Sequence, residues 1–110
     1  MKLPHPENAI IPEKKLTDYL LSKTHETGRF KAKFFRSLGF NEENLNLLEK
    51  EFLNIVQTQE ITKQENSEFG IKYIIDGSLM TPLGKSVKIR TVWIVENDEE
   101  QPIFITAYPV

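Results

Sequence analysis

The chain contains no cysteine, so neither a disulfide staple nor a thiolate metal site is open to it. Histidine is almost as scarce. His5 and His25 are far apart and carry no H-E-x-x-H type of spacing, so no metal signature is present. We therefore expect neither a metal nor another cofactor. No apolar run is long enough for a signal peptide or a membrane span, so the expectation is a cytoplasmic protein with no membrane partner. A basic surplus is also missing. Fourteen Lys and Arg against 16 Asp and Glu give a net charge of −2, which argues against a general nucleic-acid coat protein, whose affinity rests on many phosphate contacts.

What remains suits one domain over residues 1–110. The chain is 39% hydrophobic and has 7 Phe, enough for a real core. Its charge is unevenly spread. Lys23, Arg29, Lys31, Lys33 and Arg36 crowd a short stretch that holds a single acid, Glu26, whereas acids dominate from Glu42 to Glu68 and again at Glu96-Asn97-Asp98-Glu99-Glu100. A local basic patch on an acidic body fits a small, defined anion better than a long polyanion.

Hydrophobic spacing predicts helices first. Pro12 is a plausible first helical residue, and Leu16, Tyr19 and Leu20 recur at helical spacing, giving a helix over roughly residues 12–23. Thr27 is placed to cap a second helix, with Phe30, Phe34, Phe35 and Leu38 as its apolar stripe and Gly39 as its stop. Asn41 caps a third, whose core face is Leu45, Leu48, Phe52, Leu53 and Val56. The period then falls to two. Phe69, Ile71, Tyr73 and Ile75 alternate, as do Val87, Ile89, Thr91, Trp93 and Val95, with a turn at Thr81-Pro82-Leu83-Gly84 between them. Ile103, Ile105 and Ala107 mark the last strand, and Gln59 to Lys63 is a further short strand candidate. The class is α+β: N-terminal helices packed on a C-terminal antiparallel meander of three to four strands.

Two clusters stand out chemically. The first surrounds the start of the second helix, where the helix dipole disfavours cations. Measured from Phe30 at about 100° per residue, Phe34, Leu38 and Phe35 lie near 40°, 80° and 140°, and Lys31 falls near 100°, inside the apolar arc. A lysine there either snorkels out, is paired, or has a directed role. Arg29, Lys33 and Arg36 lie on the opposite side, as solvated charges or, for Arg29 and Lys33, as substrate-binding groups. His25 stands in a polar turn just before the helix, where a surface histidine is ordinary, yet imidazole is the best acid/base candidate in the chain.

The second cluster is on the strands. If Glu96 faces Pro102, opposed residues sum to 198, Arg90 faces Tyr108 and Val92 faces Thr106. That puts Arg90, Thr106 and Tyr108 on one sheet face and Trp93 on the other. An arginine, a hydroxyl and a phenol together can hold a phosphate and protonate or orient its oxygens. A hairpin centred on Leu83 also places Asp76 opposite Arg90, and a cross-strand ion pair would account for Arg90 without any function.

The order of these blocks, with His-x-x-Gly-Arg-x-Lys-Ala-x-Phe-Phe, then Val-Lys-Ile-Arg-Thr-Val-Trp-Ile-Val and a terminal Ile-Thr-Ala-Tyr-Pro, resembles a family of small uncharacterised bacterial proteins. More distantly the layout is similar to the barnase–EndoU–colicin–RelE superfamily of metal-independent ribonucleases, common as toxins. That resemblance implies His25 and Lys31 as the acid/base and phosphate-binding pair, Arg90 as the clamp on the scissile phosphate, and Thr106 and Tyr108 completing the site. It implies RNA as substrate. A second expectation is a non-enzymatic module of a toxin–antitoxin or immunity locus, in which the acidic third helix and the Glu96–Glu100 loop meet a small cognate partner protein.

Overall fold

The computed structural model describes residues 2–26 and 29–110. It is an α+β fold: helical segments α1 (Glu13–Lys15), α2 (Arg29–Ser37) and α3 (Leu45–Thr58) precede strands β1 (Lys63–Ser67), β2 (Gly70–Met80), β3 (Ser86–Glu96) and β4 (Ile103–Pro109). The strands form one antiparallel sheet in the order β1-β2-β3-β4. The capping role expected of Thr27 lies outside the described residues.

Local chemistry accounts for most helix ends. Gly39 takes a positive φ of 98° just past α2, where a side chain would be strained. The Gly39 N–H donates to the Arg36 carbonyl and the Phe40 N–H to that of Phe35, a Schellman closure. Asn41 then accepts the Glu43 N–H at 2.8 Å while Asn44 accepts the Asn41 N–H at 2.8 Å, so the lead-in to α3 is capped from both sides. α1 departs from the expected regular helix. It runs into a π-helical stretch, Leu16–Leu20, closed by the Leu21 N–H on the Leu16 carbonyl at 2.8 Å. The wider turn buries Leu16, Leu20 and Leu21 together and leaves Tyr19 half-buried.

The core lies between the helices and one sheet face. Phe35 of α2 meets Phe52 of α3 edge-on, Phe52 stacks on Phe104 of β4 at 5.0 Å, and Phe104 abuts Trp93 of β3 at 5.4 Å. The Trp93 indole donates to Thr91 Oγ1 (2.8 Å), and that hydroxyl donates to the Ile75 carbonyl (2.7 Å), so the polar atoms on the core face are satisfied. α3 approaches β2 closely at Gly77, where an added Cβ would lie 2.9 Å from Ile55 Cγ2. Gly77→Ala should therefore cost about 1–3 kcal/mol through overpacking. A thermal melt would check this, and an unchanged midpoint would contradict it.

Three sequence expectations are corrected. Phe30 is 69% exposed and Phe69 68% exposed, so neither belongs to the core. Phe30 falls at the edge of the α2 stripe, and Phe69 falls in the turn before β2 rather than on the strand. The short strand is Lys63–Ser67, beyond all but the last residue of the Gln59–Lys63 candidate. Both its faces are solvated, so no alternation betrays it, and its stability comes from pairing with β2. Finally, Glu96 does not set the last register. Ile94 pairs with Ile103 and Trp93 with Phe104, a sum of 197, and a bulge between Val92 and Trp93 leaves Ile105 as the extra residue. Beyond it Val92 faces Thr106 and Arg90 faces Tyr108, a sum of 198. Phe104 and Ala107, three apart, are consequently both buried.

Candidate functional site

The bulge decides what stands beside what. Continued without it, the loop-side register would have set Arg90 against Ala107; with it, Arg90, Val92, Thr106 and Tyr108 share the sheet face opposite the core. β4 is the last strand of the sheet, and Ile10 covers its beginning by donating to the Pro102 carbonyl (2.9 Å) and accepting the Phe104 N–H (2.9 Å). The helical segments approach the rest of β4.

From α2, with Ala32 and Phe35 buried, half-buried Lys31 reaches β4. Its Nζ donates to Tyr19 Oη at 2.6 Å and to Thr106 Oγ1 at 3.0 Å, and those two oxygens are 3.0 Å apart. The same ammonium lies 5.2 Å from the centroid of the Tyr19 ring and 5.7 Å from that of Tyr108. No carboxylate among the described residues forms an ion pair with it. Two neutral hydroxyl oxygens and the Tyr108 ring thus surround the ammonium and hold it in place without cancelling its charge.

His25 lies against this group through Tyr19, its ring edge-on at 5.0 Å between centroids. Its main chain is fixed at both ends: its N–H donates to Ser22 Oγ (3.1 Å) and its carbonyl accepts the Arg29 N–H (3.0 Å). Lys15 stands 5.3 Å from the Tyr19 ring centroid. Burial pushes the Tyr19 phenol up, but hydrogen bonds from Lys31 and Thr106 and the charges of Lys31 and Lys15 outweigh it, so the phenol titrates below its ordinary value.

Arg90 is bound by Asp76 in a bidentate pair, Nε to Oδ1 at 2.8 Å and one terminal nitrogen to Oδ2 at 3.0 Å. Asp76 and, secondarily, the Tyr108 phenol hold the guanidinium above its ordinary pKa. The ion pair expected as a purely structural alternative therefore exists, but it uses two of five N–H donors and leaves three facing away from Asp76.

Five of the sequence-derived candidates are thereby linked: His25 through Tyr19 to Lys31, Lys31 to Thr106 and Tyr108, and Tyr108 across the ladder to Arg90. Arg29 and Lys33 are not brought there. Both are exposed; with Lys23 and Arg36 they line a different depression, and Arg29 stacks on Phe30 at 5.0 Å. Arg36 is structural, donating to the Leu21 carbonyl (3.0 and 2.7 Å) and pairing with Glu42. That pair, with a backbone hydrogen bond, depresses the Glu42 carboxyl to about 2 from an ordinary 4.5. A depressed acid contributes stability above its unfolded pKa and loses it as pH falls, here between about 4.5 and 2. Glu42→Gln should lose that contribution near neutrality, flatten the stability profile between about 4.5 and 2, and match the parent below that window; an unaltered acid limb would contradict this. Tyr19 was missed as a site residue because its spacing reads as part of an apolar stripe. The available signal was the phenol itself, which needs a polar partner when half-buried.

Among the described residues there is no cluster of three His, Cys, Asp or Glu able to hold a metal, and no helix long and apolar enough to cross a membrane.

Over residues 2–110 the chain matches the model of a domain of unknown function, DUF6883, and it belongs to that family. No curated protein matches it in sequence. Among solved structures it is similar to a chain of a contact-dependent growth inhibition toxin–immunity protein complex from Klebsiella pneumoniae 342, at a TM-score of 0.74 and 23% identity, covering 94% of this chain and 95% of that one. At that identity the likeness is one of fold.

Proposed function

We propose that this domain is a metal-independent endoribonuclease of toxin type, acting in the cytoplasm on RNA. The observation that carries the proposal is the convergence of Lys31, Thr106, Tyr108 and Arg90, with His25 against Tyr19, from parts of the chain more than 50 positions apart. Lys31 and the Arg90 donors turned away from Asp76 would bear on the non-bridging oxygens of a phosphate, and Thr106 would orient them. His25 and Tyr108 are the proton carriers. As one takes the proton of a 2′-hydroxyl, its oxygen forms a bond to phosphorus; the bond from phosphorus to the 5′-oxygen breaks, and the other carrier delivers a proton to that oxygen. The products are a 2′,3′-cyclic phosphate and a 5′-hydroxyl. Asp76 is the group that orients Arg90.

The test is to incubate the protein with structured RNA in excess chelator and probe the new ends. Cleavage that leaves cyclic phosphates, and is abolished by 2′-deoxy substitution at the cut, supports the proposal. Intact RNA at high enzyme concentration overturns it. A partner protein is the second expectation, favoured by the toxin–immunity complex to which the structural neighbour belongs. The Glu96–Glu100 loop would suit a basic partner. A nuclease-dead chain that still forms a tight one-to-one complex with a basic neighbouring protein would favour that alternative.

A further inference from the structure

Tyr19 has no place in the reaction as written, yet it touches more of the site than any other side chain. It accepts from Lys31 at 2.6 Å, shares a hydrogen bond with Thr106 at 3.0 Å, meets His25 edge-on, and lies under Lys15. It also stands on the π-helical stretch Leu16–Leu20, a rare local geometry found disproportionately at functional sites. An ordinary α-turn would rotate position 19 relative to Leu16. We infer that Tyr19 is the positioning residue of the site: it fixes the Lys31 ammonium against Thr106, so that one N–H of Lys31 remains for a phosphate oxygen, and it sets the ring of His25. The inference rests on the phosphate-handling role proposed for Lys31 above.

The geometry explains why a tyrosine serves here. An ammonium has three N–H donors, and two are taken by Tyr19 Oη and Thr106 Oγ1. A carboxylate at position 19 would hold Lys31 equally firmly but would cancel the charge that a phosphate needs. A phenol holds it and stays neutral while protonated. The charged groups around the ring are Lys15 and Lys31, with His25, and Lys14 and Asp18 line the same depression. Three cations against one acid favour the phenolate, in line with the lowered titration of Tyr19. The prediction is that phosphate binding weakens as pH rises through the Tyr19 transition, because a phenolate would neutralise Lys31.

The experiment compares the full chain with Tyr19→Phe and Thr106→Val, using inorganic phosphate as the probe and NMR shifts of the Lys31 side chain as the readout. Phosphate should perturb Lys31 in the parent, with an affinity about 10–10²-fold weaker in Tyr19→Phe, as expected for losing roughly one hydrogen bond to a charged group. Since the ring is kept, melting should move little, and a large drop in midpoint would assign Tyr19 a structural role and overturn the inference. Unchanged phosphate affinity in Tyr19→Phe, or a Lys31 indifferent to phosphate in the parent, would also overturn it. With RNA, Tyr19→Phe should lose about 10²-fold in kcat with a small change in KM, the size of penalty that a misplacement near 1 Å brings. A parent chain that binds phosphate in a Tyr19-dependent way but leaves RNA intact would remove the nuclease proposal and leave this inference standing.

Discussion

Lys31→Met is expected to lower RNA cleavage by about 10²–10³-fold, the loss seen when one preorganised group is removed from developing negative charge. Methionine keeps the length and apolar stem that lie along the α2 stripe, and removes only the ammonium. Tyr19 Oη and Thr106 Oγ1 retain each other at 3.0 Å, so no polar atom is stranded. Because the ammonium is half-buried with no carboxylate pairing it among the described residues, its removal should leave the melting midpoint unchanged or raise it. Loss of activity with retained stability separates a group kept for chemistry from one kept for packing. A stable variant that cleaves at the parental rate would eliminate Lys31 from the mechanism.

For His25→Ala the expected loss is about 10²–10⁴-fold in kcat, the usual contribution of a positioned acid/base group. The fold should tolerate it. The hydrogen bonds that fix this turn are made by the His25 main chain, to Ser22 and Arg29, and alanine preserves both. The imidazole ring itself meets Tyr19 edge-on. The pH–rate profile of the variant should lose one limb, since imidazole is the side chain whose ordinary titration falls nearest neutrality. A parental profile in His25→Ala would remove His25 from the proton transfer.

How far the sequence anticipates all this varies from element to element. β2 and β3 are legible because one face is buried and the other is not, so Tyr73, Ile75, Ile89, Thr91 and Trp93 keep a strict period of two. β1 is illegible for the opposite reason: both its faces are wet. The Asp76–Arg90 and Arg90–Tyr108 pairings are readable from turn positions, but the second is reached through a bulge at Ile105 that no residue pattern announces. Lys31 stands out on a helical wheel because a cation inside an apolar arc breaks a local rule. Tyr19 breaks none, and only the third dimension shows that its hydroxyl meets Lys31. The sequence posed Arg90 as either a clamp or an ion-pair partner. The ion pair is present, and the donors it leaves open allow the other role too. Arg29 and Lys33 lie on the side of the helix that the wheel gives them, opposite Lys31, and line a separate depression.

The most direct test is a crystal structure of the protein grown with inorganic phosphate, read for where the anion lies. The account predicts a phosphate within hydrogen-bond reach of both Lys31 Nζ and the guanidinium of Arg90, with Thr106 and Tyr108 at its side and the His25 ring facing it across Tyr19. A phosphate on Arg29 and Lys33 instead, with Lys31 sealed by its two hydroxyls and His25 turned to solvent, would contradict it.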